Sequence, residues 1–329
     1  MPEIPDIEAY IEALRLRVLG EPLLGTRLSS PFLLRTVEPP LAAVAGGRVA
    51  GVERLGKRIV FEVVPVEAGA RTGGAGEPET SEPSRPEDPY CLALHLMIAG
   101  RLHWKAAGAG IPKGSGLVAF DFPSGSLILT EAGKKRRASL HLVRGSAALH
   151  ALDPGGIEIL ASSLEEFAAA LRRENHTLKR ALTDPRILSG IGNAYSDEIL
   201  HRACLSPLKL SYALDSAELG RLYKAAREVL QEWTERLRAE ARERFPEKVT
   251  AFRSEMAVHG RFGASCPVCG SAVERIVYSD NECDYCPGCQ TGGRILADRS
   301  LSRLLKDDWP RSMEERTRPP RADDLPDPL

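Results

Sequence analysis

The sequence predicts an α+β chain of several domains: a β-rich N-terminal part with one flanking helix, a helical middle and a small cysteine-rich C-terminal module. Three observations carry this. Short apolar runs separated by turn residues fill Leu23 to Leu142. Helical spacing takes over after Asp153-Pro154-Gly155-Gly156. Five of the seven cysteines crowd into Cys266 to Cys289. At 329 residues the chain is long enough for two or three domains with cores of their own.

The first element is a helix over Ile4 to Val18, with Ile4, Ile7, Ile11, Leu14 and Val18 on one face and Gly20 and Pro22 as its stop. Strands are expected at Arg58 to Val64, Cys91 to Leu96, Leu117 to Phe122 and Ser126 to Thr130. Turn signals such as Pro123-Ser124-Gly125 between them suit a sandwich or a barrel. The Gly-, Pro- and Glu-rich stretch from about Val66 to Pro89 cannot supply a core and is read as a disordered insertion. Beyond Gly156, Leu164 to Leu182 is expected as one helix and Gly190 to Arg202 contains another. Ser216 to Phe245 is a long amphipathic helix with Leu219, Leu222, Ala226, Val229, Leu230, Trp233 and Leu237 along its apolar stripe. A Pro-rich tail follows from about Pro310.

Hydrophobic content of 43% and charged content of 27% are those of an ordinary soluble chain. No apolar run approaches the ~20 residues of a membrane helix. The start is acidic (Glu3, Asp6, Glu8, Glu12) and unlike a signal peptide, so a cytoplasmic location is expected. The net charge of −1 argues against a polyanionic partner only at first sight. Pro65 to Pro89 and the tail from Lys306 are both acidic, and without them the remaining body is basic, compatible with a local basic groove.

Cys266-Pro267-Val268-Cys269 and Cys286-Pro287-Gly288-Cys289 form a pair of CxxC turns separated by 16 residues. Each turn presents two sulfurs to one metal, and the pair predicts a four-thiolate zinc site. Four thiolates leave no open coordination position, so the zinc is read as structural. Val273 to Tyr285 is long enough for a β-hairpin between the turns, and Cys283 is a spare thiol. Cys91 and Cys204 stand alone and read as buried apolar residues.

Other signals are local. Gly190-Ile191-Gly192-Asn193 can aim backbone N–H groups at a phosphate, or can be a helix–helix turn with Asn193 as its N-cap. Lys134-Lys135-Arg136-Arg137 is either a solvated loop or a phosphate contact. The chain opens Met1-Pro2-Glu3-Ile4-Pro5-Asp6. If Met1 is removed, Pro2 offers a secondary amine with a pKa of about 8, a better nucleophile near neutrality than a lysine near ~10.

The order of these pieces resembles the formamidopyrimidine-DNA glycosylase/endonuclease VIII family of DNA repair enzymes, from Met1 to about Arg294. The resemblance rests on Met1-Pro2-Glu3-Ile4-Pro5-Asp6-Ile7-Glu8, on Leu55-Gly56-Lys57-Arg58, and on Leu178-Lys179 followed by Leu188 to Leu200. It rests also on Val258-His259-Gly260-Arg261 running into Cys266, and on Cys286-Pro287-Gly288-Cys289-Gln290. It implies an N-terminal β-sandwich with a flanking helix at 1–150, a helix–two-turn–helix domain at 151–257, a zinc β-hairpin finger at 258–300 and a tail at 301–329.

The resemblance further implies a DNA base-excision glycosylase with AP lyase activity, working on DNA with damaged bases or abasic sites and expected to act as a monomer. Pro2 would be the nucleophile, forming a Schiff base. Glu3 would move protons at the sugar, and Lys57 would hold a phosphate and favour elimination. Lys179, Asn193, Arg136 and Arg137 would grip DNA. Cys266, Cys269, Cys286 and Cys289 would hold the zinc.

The chain departs from the family pattern in four places. Where the family has His-Leu-Gly-Met-Ser-Gly, this chain has His95-Leu96-Met97-Ile98-Ala99-Gly100, so Ile98 stands where a methionine fills the void of the flipped base. Arg136-Arg137-Ala138-Ser139 stands for Arg-Arg-Phe-Gly and lacks the stacking phenylalanine. Asn281 occupies the place of the finger arginine, and Asp6 that of a glutamate. Two rival readings follow: a glycosylase of the same fold specialised for alkylated, bulky or cross-linked bases, and a zinc-dependent DNA-binding protein without catalysis. The intact Pro2-Glu3 pair favours an enzyme.

Overall fold

The computed structural model describes residues 1–65, 88–133, 135–278, 281–297 and 312–313. The expected insertion at 66–89 and the tail from 301 lie almost wholly outside them. The described chain forms two compact units: residues 1–158 with 230–251, and residues 159–229 with those from 252 onward. The helical stretch at 151–257 is thus divided between the units.

In the first unit, α1 (Ile4–Val18) is capped by Glu3, and Pro5 sits in its first turn. Its buried Ile7, Tyr10, Ile11, Leu14 and Val18 join the main apolar core, each full aliphatic burial contributing roughly 1.5–3 kcal/mol. Small Ala9 and Ala13 let Leu237 and Ala241 approach its other side.

Eight strands follow: β1 (Gly25–Leu28), β2 (Arg48–Leu55), β3 (Arg58–Val64), β4 (Tyr90–His95), β5 (Gly100–Lys105), β6 (Gly116–Phe122), β7 (Gly125–Glu131) and β8 (Ser139–Arg144). They build two antiparallel four-stranded sheets, in the orders β1-β6-β7-β5 and β2-β3-β4-β8. Val52, Ile59, Phe61, Leu92 and Leu94 of one sheet share a core with Leu102, Val118, Phe120, Leu127 and Leu129 of the other. Phe61 stacks on Phe120 at 6.0 Å between ring centroids. The N-terminal β-rich part is therefore a sandwich. The far face of the second sheet, at Val60, Cys91 and Ala93, is covered by Leu149 of α2 (Gly145–His150) and by Leu152.

The second unit holds α3 (Leu164–Leu171), α4 (Leu178–Thr183), α5 (Asn193–Arg202) and the first part of α6 (Ser216–Glu243). Its finger pairs β9 (Glu274–Val277) with β10 (Glu282–Tyr285) and ends in α7 (Pro287–Thr291). The single helix expected over Leu164 to Leu182 is two. Residues around 176–178 spend their backbone groups on a distant segment: Ser211 N–H donates to His176 O at 2.8 Å and Leu178 N–H to Lys209 O at 2.8 Å. Thr177 then caps α4, its hydroxyl accepting from Arg180 N–H. Among the described residues, no helix is long and apolar enough to cross a membrane.

Candidate active site and metal centre

Pro2 is buried at the entry to α1, and Glu3 is 2% exposed. Glu3 is the N-cap, and its backbone N–H donates to Asp6 Oδ2 at 3.0 Å. The two side chains close a capping box around the first turn, the Glu3 carboxylate accepting from the backbone N–H of Asp6 and the Asp6 carboxylate from that of Glu3. With Met1 in place, burial pushes its terminal amine below the ordinary pKa of 8.0; Glu3 and Asp6 oppose this, while Arg101 and Lys57 add to it. The amine, both carboxylates, Lys57 and Arg101 thus share one electrostatic neighbourhood.

Lys57 arrives there on a tight hairpin. β2 and β3 pair Leu55 with Arg58, leaving Gly56 and Lys57 as the two-residue turn, and Gly56 has φ 59°. A positive φ at the first turn position is a glycine conformation. Lys57 is half-buried, and desolvation pushes its ammonium pKa down against the pull of Glu3. Arg54 fixes the turn to α1: its guanidinium donates to Gly56 O at 3.0 Å, to Glu8 Oε1 at 3.0 Å and to Glu158 Oε1 at 3.0 Å. Glu8 and Glu12 also receive Arg238 and Arg242, each at 2.6 Å. The helix that carries Glu3 and the turn that carries Lys57 are held by the same half-buried arginine.

Ile98 stands on an exposed loop tip, 58% exposed. Met97 before it has φ 53°, a left-handed conformation rare for a side-chain-bearing residue. Two contacts hold the turn. Met97 N–H donates to His95 Nδ1 at 3.0 Å, and Arg101 donates to Ile98 O at 3.0 Å and Gly100 O at 2.7 Å. Burial, with Arg58, Lys57 and His141, holds His95 down to about 4, so it is neutral and able to accept that N–H. Sequence reading missed Arg101. Its only signal is its place directly after Gly100, whose Cα faces Leu96 O so closely that a Cβ there would lie 2.2 Å from that oxygen.

Arg136 and Arg137 are exposed. Buried Glu131 accepts from Arg137 N–H at 2.9 Å and Ala138 N–H at 3.1 Å, so the backbone is anchored while both guanidinium groups face outward. Arg136 also donates to Gly114 O. Lys134 lies outside the described residues.

In the second unit the geometry revises the expectation for Lys179. It is 6% exposed, and its ammonium donates to Asn193 O (2.7 Å), Ser196 Oγ (2.8 Å) and Asp197 Oδ1 (2.5 Å). A lysine so engaged spends its ammonium on the protein and ties α4 to α5. Asp197 also accepts from His259 Nδ1 at 2.8 Å, Cys283 Sγ at 3.2 Å and Asp284 N–H at 3.3 Å. Glu198 beside it accepts the N–H groups of Ala257, Val258 and His259. The start of α5 thus organises the entry to the finger, and the spare thiol Cys283 belongs to this network.

Asn193 is the first residue of α5, with Gly192 rather than Asn193 as the N-cap and Gly190 at φ 78°. Its Oδ1 is buried and has no hydrogen-bond partner among the described residues. An amide oxygen is an acceptor, so the group that would complete it is a donor.

The four finger sulfurs converge. Cys266 and Cys289 Sγ lie 3.8 Å apart, and Cys269 and Cys286 Sγ 3.3 Å apart. Tetrahedral thiolates at the zinc–sulfur length of ~2.3 Å would be about 3.8 Å apart, so the sulfurs could hold one metal ion. His201, Cys266, Cys286 and Cys289 bring donor atoms within 4.8 Å of one another. A second cluster, Asp197, His259 and Asp284, is already engaged by Lys179 and Arg275. Asn281, at the place of the finger arginine, closes the hairpin, its O accepting from Tyr278 N–H at 2.7 Å.

The formamidopyrimidine-DNA glycosylase N-terminal domain model matches residues 1–139, and the H2TH domain model of the same enzymes matches 156–242. These define the class: a base-excision DNA glycosylase with AP lyase activity, so the reading as a DNA-binding protein without catalysis does not stand. The chain belongs to the formamidopyrimidine-DNA glycosylase family. It is 32% identical over 300 residues to the formamidopyrimidine-DNA glycosylase of Thermus thermophilus, covering 89% of this chain and 100% of the relative. A formamidopyrimidine-DNA glycosylase-like protein of Mycobacterium tuberculosis is 39% identical over 162 residues, 49% of this chain and 99% of that one. The fold matches Lactococcus lactis Fpg in complex with an abasic-site-containing DNA, with TM-score 0.71, 20% identity, and coverage of 88% of this chain and 99% of that one.

Proposed function

We propose that Pro2, freed by removal of Met1, attacks C1′ of a damaged nucleotide flipped out of the DNA stack. The base leaves, and the nitrogen and the opened sugar form a Schiff base. This cation accepts electrons from the adjoining C–H bond, so the strand breaks by β- and then δ-elimination. Glu3 transfers protons at the sugar oxygen and balances the cationic intermediate. Lys57 holds a phosphate and favours elimination. Asn193, Arg136 and Arg137 grip the backbone, and Ile98 fills the space left by the flipped nucleotide. The observation that carries this reading is the buried Pro2-Glu3 pair at the start of α1, with the desolvated Lys57 ammonium in the field of Glu3.

Zinc on Cys266, Cys269, Cys286 and Cys289 would cross-link the finger and take no part in the chemistry. The site of action would be cytoplasmic DNA. Ala138 favours a lesion range beyond small oxidised bases in a tight duplex: it is 4% exposed and packed in the sandwich core, so no ring projects there to stack on the opposite strand.

Glu3→Gln tests the assignment. It should lower base excision by roughly 10²–10⁴-fold while sparing DNA affinity and much of the cutting at preformed abasic sites, where no base has to leave. Equal loss on both substrates would remove the proton-transfer role. Arg136→Ala should lower the slope of log affinity against log salt by about one phosphate contact; an unchanged slope removes Arg136 from the interface.

A further inference from the structure

His201 lies in the last turn of α5, eight residues after Asn193, about 12 Å along the helix. It is 6% exposed, and its Nε2 is 3.3 Å from Sγ of Cys266, itself 3% exposed. A metal-bound thiolate can only accept a hydrogen bond, so the contact requires the proton on Nε2. The same sulfur receives Val268 N–H at 3.4 Å. Along the chain His201 lies 65 residues before Cys266, and no metal-ligand spacing marks it.

We propose that His201 is a positioning residue of the metal centre: its Nε2–H holds the Cys266 thiolate, slows loss of the metal and fixes the finger to the helix that begins with Asn193. The inference rests on the zinc reading above. Two CxxC turns already complete a closed four-sulfur set, and 3.3 Å is a hydrogen-bond length for nitrogen and sulfur. The imidazole therefore serves as a donor to a ligand rather than as a ligand. Such a bond draws charge off the sulfur and restricts its rotamer, and outer contacts of this kind change metal affinity by about 10–100-fold.

The experiment compares wild type, His201→Phe, His201→Ala and His201→Gln as full-length proteins. Zinc content is measured by elemental analysis, zinc release by transfer to a chromogenic chelator, and the ligand set by the absorption spectrum after cobalt substitution. Wild type without zinc would sink the metal reading itself. Given one zinc in wild type, His201→Phe and His201→Ala should release it roughly 10-fold faster or more. His201→Gln, which keeps an N–H donor, should recover most of the difference. All four should share one four-sulfur cobalt spectrum. Unchanged release in the donor-less variants would overturn the inference, as would a glutamine variant as fast as alanine. A cobalt spectrum that changes when the imidazole is removed would make His201 a ligand and overturn it too. Alanine keeps the test open should phenylalanine prevent folding.

Discussion

An N-terminal tag left in front of Pro2 will abolish both borohydride trapping and strand cutting on abasic DNA. Acylation turns the amine into an amide with no free electron pair, and a Schiff base cannot form. The expected loss is on the order of 10³-fold or more, about 4 kcal/mol of barrier. Trapping is the sharper readout, because reduction of the iminium leaves a covalent protein–DNA adduct visible by mass. Pro2→Gly keeps an amine but changes its basicity and the rigidity of the terminus, so it should trap weakly. Should the tagged protein cut at full rate, the nucleophile is a lysine such as Lys57, or Pro2 has no chemical role.

The second large effect is expected at Asp197. Its carboxylate is fully buried and meets Lys179, His259, Cys283 and Asp284 N–H. Asp197→Ala leaves a buried ammonium without its counter-charge. Breaking such a pair from one side costs about 3–5 kcal/mol, to be read in the denaturant midpoint of the full chain. Lys179→Met should also destabilise, because Asp197 then loses its cation. This separates the two roles considered for Lys179: a phosphate ligand would lower DNA affinity without touching stability, whereas the lysine seen here lowers both. A loss below ~1 kcal/mol in Asp197→Ala would show that the network is not a structural hub.

What the sequence makes legible follows the range of the interactions. The CxxC turns and the short apolar runs of β3 and β7 are set by neighbours within a few residues, and they stand where the pattern puts them. The break between α3 and α4 depends on residues 209–211, far along the chain, and local helical spacing carries no trace of it. The buried partnership of Lys179 and Cys283 is hidden for the same reason: Asp197, which joins them, can be found only once the finger meets α5. Arg101 and His201 are ordinary polar residues in sequence. Their significance arises from one loop and one helix end, which single-sequence patterns do not resolve.

The first unit is built from two separate stretches of chain, and this has a consequence for biosynthesis. Its core takes in Val249, with Phe245 packed against it, and the carboxylates of Glu8 and Glu12 find Arg238 and Arg242. All four of those partners leave the ribosome only after the whole of 159–229 has been made. At ~5–20 residues per second that is a wait of several seconds. During it the nascent N-terminal half holds Pro2 and Lys57 without the segment that closes its core. A fragment stopped near residue 158 should be a poor catalyst because its fold is unfinished, even though it carries every residue assigned to the chemistry.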